Sequence, residues 1–127
     1  MKAQNISQLL KTRVIFENEL ESEIDFNTVC ACDMMSDLLS IMSCNANIKE
    51  HFVLLTGLTN PQVIRTSEMV DIKLIIFVRG KTPSNETVEL AKSCGISLMT
   101  TPYSLYRSCG VLYRENLEDI CHQKDSA

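Results

Sequence analysis

Three stretches of the chain have the character of β-strands: Phe52–Thr56, Leu74–Val78 and Ile96–Thr100. Leu74–Val78 is apolar without a break, as expected of a strand covered by helices on both faces. Between the stretches the pattern changes period. In Pro83–Cys94, Val88, Ala91 and Cys94 or Gly95 fall on one helical stripe, with Glu86, Glu89 and Lys92 outside it. In the segment from Pro61, Val63, Ile64 and Met69 precede Val70 and Ile72. Earlier in the chain, Ile6, Leu9 and Leu10 share a helical face, and Val14-Ile15-Phe16 and Thr28–Cys32 read as short strands. A helix carrying Leu38, Leu39, Ile41 and Met42 follows.

Punctuation supports this order. Each of the three prolines follows a residue with a side-chain oxygen: Asn60-Pro61, Thr82-Pro83 and Thr101-Pro102. Such a pair marks a helix start, because the oxygen accepts an otherwise orphaned N–H and proline lacks the donor that would go unsatisfied there. Asn5 with Gln8, and Ser36, give the same signal for the first two helices. Ser43-Cys44-Asn45, Ser93-Cys94-Gly95 and Ser108-Cys109-Gly110 read as helix ends, where Gly or Asn takes the left-handed conformation. All four glycines then fall at junctions, Gly57 and Gly80 after strands, Gly95 and Gly110 after helices. The rhythm is βαβαβα, for which parallel strands joined by right-handed crossovers are the default. The expected fold is an α/β domain with an open, largely parallel sheet and flanking helices. It occupies residues 1–113, and residues 114–127 form a polar C-terminal tail expected to fray, although Leu117, Ile120 and Cys121 allow one more helical turn.

Length and composition agree with one folded domain: 127 residues, 45% hydrophobic and 22% charged. Twelve Lys plus Arg against sixteen Asp plus Glu give a net charge of −4, with no basic stripe of the kind that displaces counterions from phosphates. Nucleic acid is therefore not an expected partner. The acidic run Glu17, Glu19, Glu21, Glu23 and Asp25 has no turn glycine and reads as a solvated loop. No apolar stretch reaches the length of about 18 residues that a membrane helix needs. No apolar signal region follows the N-terminus, so the expected location is the cytoplasm, where thiols stay reduced.

Chemistry-bearing residues are sparse. His51 and His122 lie on different elements, away from the strand C-termini where open-sheet sites form. Neither phosphate-loop nor dinucleotide-binding glycine patterns occur. Cys30-Ala31-Cys32 places two sulfurs on one face of a strand, but the chain has no C-x-x-C pair, and small buried hydrophobe is the default role of a cysteine. No catalytic residue, metal or cofactor is expected. Topology points instead to the loops beyond the strand carboxyl ends. There Asp33, Thr56, Asn60, Arg79, Lys81, Thr100, Thr101 and Tyr103 combine hydrogen-bonding groups and positive charge with helix N-termini suited to anions. The same residues can equally serve only as caps and solvated charges.

The segments Asp33–Leu39, Val53–Thr66 and Phe77–Pro83 resemble the small stand-alone DRTGG-domain proteins of anaerobic bacteria. Val78-Arg79-Gly80, Ala91-Lys92, Gly95-Ile96 and Thr100-Thr101 are similar to the N-terminal domain of HPr kinase/phosphorylase. The resemblance covers residues 1–113. It implies a fold shared with that domain and with the N-terminal domains of MurE and MurF ligases, and a regulatory role without transferable catalytic residues. The leading expectation is a non-enzymatic, cytoplasmic regulatory domain binding an anionic metabolite, a nucleotide or sugar phosphate, at the strand C-terminal loops. The alternatives are a protein-interaction module that modulates a partner enzyme, and a redox or metal sensor working through Cys30 and Cys32. Self-association into a homo-oligomer is also expected, and membrane contact is not.

Overall fold

The structure, a computed structural model, describes residues 1–19, 23–44 and 51–120. Helix α1 (Ala3–Leu10) leads into strand β1 (Arg13–Phe16). Then come β2 (Thr28–Ala31), α2 (Met35–Cys44), β3 (Phe52–Thr56), α3 (Pro61–Met69), β4 (Leu74–Phe77), α4 (Asn85–Cys94), β5 (Ser97–Thr100), α5 (Leu105–Arg114) and a two-residue β6 (Glu118–Asp119). The strands form one sheet in the order β1-β5-β4-β3-β2-β6. Only β1 runs antiparallel, against β5. The expected open, largely parallel α/β sheet is what forms.

Each crossover from β2 to β5 moves one strand along the sheet, which places α2, α3 and α4 together on one face. Their apolar stripes cover Cys30, Leu54, Ile75, Phe77 and Leu98. Helices α1 and α5 pack together on the opposite face over Val29, Val53, Leu55, Ile76 and Met99. Alternation along β2–β5 thus feeds two apolar layers, and β3, β4 and β5 are buried at every position.

Several local expectations need correcting. Asn60 caps α3, its side chain accepting from Val63 N–H behind Pro61. Thr82 and Thr101 do not cap: α4 is capped by Ser84 and α5 by Ser104, each one or two residues past the proline. The serine offers the same oxygen while the proline stays in the extended approach, where it restricts the residue before it. Helix α1 starts at Ala3 rather than behind Asn5, because Ala3, Ile6 and Leu10 form the buried stripe and Lys2 makes no side-chain cap. Ser36 lies inside α2, whose first turn closes on the Met34 carbonyl. Gly95 ends α4 at φ +70°, as expected. Gly110 ends nothing. It sits inside α5, which continues past it to bury Leu112 two residues on. Asn45 lies outside the described residues, as do Cys121, His122 and the rest of the tail.

Past residue 113 the chain stays in contact with the sheet. Leu117 and Ile120 are buried, and Glu118 and Asp119 pair parallel with Thr28 and Val29. Bonds from Glu118 N–H to the Asn27 carbonyl and from Ile120 N–H to the Val29 carbonyl extend the sheet instead of leaving a frayed end.

Candidate functional site

The carboxyl ends of β2–β5 form one rim. Asp33 follows β2, Thr56 and Gly57 end β3, Asn60 begins α3, Arg79 and Lys81 follow β4, and Thr100, Thr101 and Tyr103 follow β5. The eight residues expected at this rim are therefore brought to one end of the sheet. They do not play one part.

In an open α/β sheet a ligand crevice opens where neighbouring strands send their connections to opposite faces. Here that point lies between β4, which continues into α4, and β5, which continues into α5. Two backbone bonds stitch it closed: Arg79 N–H donates to the Tyr103 carbonyl at 2.8 Å and Gly80 N–H to the Thr101 carbonyl at 2.7 Å. The threonines join the closure. The Thr100 hydroxyl donates to the Lys81 carbonyl at 2.7 Å. Buried Thr101 donates to the Leu10 carbonyl at 2.6 Å and accepts from Tyr103 N–H. Tyr103 is half-buried and carries the Arg107 guanidinium over its ring, 4.0 Å from the centroid. Thr56 is buried too, accepting from Leu58 N–H and lying 3.4 Å from Asp33 Oδ1.

What remains outward is a smaller set. Arg79 takes a left-handed backbone, φ 59°, followed by Gly80 at φ 67°. That conformation costs a non-glycine residue on the order of 1 kcal/mol, and the surrounding bonds hold it. It aims the side chain across β3 toward β2. A methyl group placed on Gly57 would come within 3.1 Å of Arg79 Nη2 and 3.3 Å of Asp33 Oδ1, so guanidinium and carboxylate flank the glycine. Asp33 Oδ1 is anchored by Gly57 N–H at 2.7 Å. Asp33, Asn60, Arg79 and Lys81 are all exposed. Three loops thus combine a fixed carboxylate, a cation near a side-chain-free backbone, and a second exposed cation two residues further along the chain. This arrangement suits recognition through charge and hydrogen bonds. It offers no nucleophile paired with a base.

A second concave feature was not anticipated. A groove of about 730 Å³ runs beside α5 and the β2–β6 edge, with Val29, Ala31, Cys109, Tyr106, Tyr113 and Arg114 among its walls. Tyr106 and Tyr113 are 90% and 75% exposed. Their spacing of two helical turns was the available signal, hidden by reading Gly110 as a helix end. Among the described residues no group of three or more His, Cys, Asp or Glu is arranged to hold a metal ion, and no helix is long and apolar enough to cross a membrane.

No family model and no curated protein matches the chain. The fold itself is known. The chain is similar to the CBS and DRTGG domains of the regulatory region of a Clostridium perfringens pyrophosphatase, solved in complex with its activator diadenosine tetraphosphate. The TM-score is 0.65 at 22% identity, over 98% of this chain and 51% of that one. The chain therefore shares its architecture with a regulatory region and spans about half of its length.

Proposed function

We propose that this is a non-catalytic regulatory domain of the DRTGG type, working in the cytoplasm, which binds an anionic metabolite, a nucleotide or sugar phosphate, at the rim formed by Asp33, Gly57, Arg79 and Lys81. The observation that carries the reading is Arg79. Its left-handed backbone, fixed by the bonds to Tyr103 and Thr101, holds an exposed guanidinium near Gly57, which the anchored Asp33 carboxylate also approaches. Arginine presents a planar fork that matches phosphate oxygens, and Lys81 adds a point charge. In this reading Asp33 accepts from a sugar hydroxyl. Thr100, Thr101 and Tyr103 support this site by fixing the Arg79 turn. The similar regulatory region lends support, since its activator is a dinucleotide polyphosphate.

The test is calorimetric titration and thermal shift with nucleotides, nucleotide sugars and diadenosine polyphosphates. A ligand at 100 times its dissociation constant adds about 2.7 kcal/mol of stability, a shift of several degrees for a domain of this size. Arg79→Ala and Lys81→Ala are expected to abolish the shift. A bound ligand unaffected by both substitutions would place the site elsewhere.

A second reading is favoured by the groove beside α5. Exposed Tyr106 and Tyr113 on one helix face provide the aromatic anchors typical of protein interfaces. In that reading the domain docks a partner enzyme or a second copy of itself there, with or without a small ligand at the rim. Tyr106→Ser with Tyr113→Ser is expected to lower the mass measured by light scattering. An unchanged mass, together with unchanged partner capture, removes this reading.

A further inference from the structure

Nothing within the fold calls for a glycine at position 110. Gly110 lies in the interior of α5, where alanine stabilises a helix better. Its backbone is not left-handed, so the position is open to any residue. A methyl group built on it would meet nothing within 4 Å, so no neighbour excludes a side chain. It is exposed, and it shares one helical stripe with Tyr106, Cys109 and Tyr113, about one turn from each tyrosine. Both tyrosines project into solvent on either side of this bare centre.

A helix face with two rings flanking an absent side chain is shaped for the close approach of another backbone. The groove beside it has apolar walls at Val29 and Leu117. Charge selects what fits. Arg107 stands at the amino end of α5, while β6, beyond its carboxyl end, carries Glu118 and Asp119. All three are exposed and line the groove. A second helix with the same charges, laid antiparallel, sets arginine against carboxylates at both ends. Laid parallel, it sets Arg107 against Arg107 and Arg114 against Arg114. The tyrosines obey the same symmetry, because the midpoint between Tyr106 and Tyr113 falls between Cys109 and Gly110. A two-fold axis there brings Tyr106 of each copy to Tyr113 of the other.

We propose that the groove receives a second copy of this chain, with the two α5 helices crossing antiparallel at Gly110. This rests on the reading of the groove as a docking surface and names its occupant. Packed helices lie about 8–10 Å apart according to the side chains at the contact, and a glycine at the crossing brings them to the near end of that range. The tyrosines of each copy then cover the apolar wall of the other. Burial of that surface holds the pair, and the charges set its direction.

The experiment is sedimentation equilibrium of the full chain over a dilution series, with circular dichroism to follow folding. Wild type should be a dimer. Gly110→Ala should weaken association about tenfold, since one methyl group must be forced into a packed contact, while helix content is kept. Gly110→Lys should leave only monomer. A wild type that is monomeric at every concentration overturns this inference and leaves the groove to a different partner. A dimer that survives Tyr106→Ser with Tyr113→Ser overturns the docking reading of the groove and this inference with it. A dimer lost with the tyrosines but unchanged by Gly110→Lys overturns the crossing at Gly110. Should the glycine variants fail to fold, the wild-type dimer decides the matter. A short bismaleimide should join Cys109 of one copy to Cys109 of the other, identified by mass spectrometry. Links between copies that map only to other cysteines overturn the proposal.

Discussion

The strand-end rim and the α5 edge meet solvent in opposite ways. At the rim nearly every polar group is committed to holding loops together: Thr100 to Lys81, Thr101 to Leu10, Asp33 to Gly57. Only charges are left over. At the α5 edge, apolar side chains and two tyrosines line a groove that the chain's own described residues do not fill. On the proposed readings, binding at the rim is electrostatic and is expected to fall with ionic strength, whereas docking at the edge would bury apolar surface and tolerate salt.

This contrast is sharpened first at the edge. Leu117 is buried between α5 and β6, and Leu117→Ala is expected to cost about 2–5 kcal/mol, measured by denaturant unfolding. A cost below about 0.5 kcal/mol would mean that residues after α5 contribute as surface positions do. At the rim the corresponding change is Thr101→Val, which removes a buried hydroxyl and leaves the Leu10 carbonyl without its donor. The expected loss is about 1–3 kcal/mol. Arg79→Gly should separate function from stability. It relieves the left-handed backbone and is expected to raise stability by up to about 1 kcal/mol while eliminating ligand-induced thermal shift. Loss of stability on that change would show that the guanidinium is there for packing.

The smallest effect concerns Cys109 in the groove wall. Burial, followed by the nearby Asp119 carboxylate, pushes its thiol pKa up. The folded state thus prefers the protonated thiol. The stability this contributes is fully present below the ordinary thiol range and is lost as pH rises through the raised pKa. Alkylation of Cys109 should accordingly reach half-maximal rate at a higher pH than that of an exposed cysteine. A midpoint at or below that of an exposed thiol contradicts the burial seen here.

Period and punctuation sufficed for the parallel strands, because β3, β4 and β5 are short apolar runs framed by polar turns. The prolines located the loops and the Asn60 cap correctly but placed the other two caps slightly early, since Ser84 and Ser104 take the role expected of Thr82 and Thr101. The helical continuation past Gly110 was illegible locally: a glycine costs about 1 kcal/mol in a helix, and burial of Leu112 outweighs it. The residues expected at the rim do lie at the strand carboxyl ends, but sequence does not show their division of labour. Asp33, Gly57 and Arg79 come from three loops, and only the register of β2, β3 and β4 brings them together. Nor does sequence reveal that the β4–β5 crevice is closed, because backbone N–H groups at 79 and 80 close it.

The path of α5 has a kinetic consequence. Every other parallel connection joins neighbouring strands, whereas this one leaves β5, packs α5 on β3 and β2, and docks β6 beyond β2. That pairing closes a loop around strands that must already be assembled, so its entropy cost is met only once they are in place. The segment from Ser104 to Ile120 is therefore expected to be the last piece to assemble and the first to come away. Amide exchange at Glu118 and Ile120 will then report a partial opening that leaves the β3–β4–β5 centre protected.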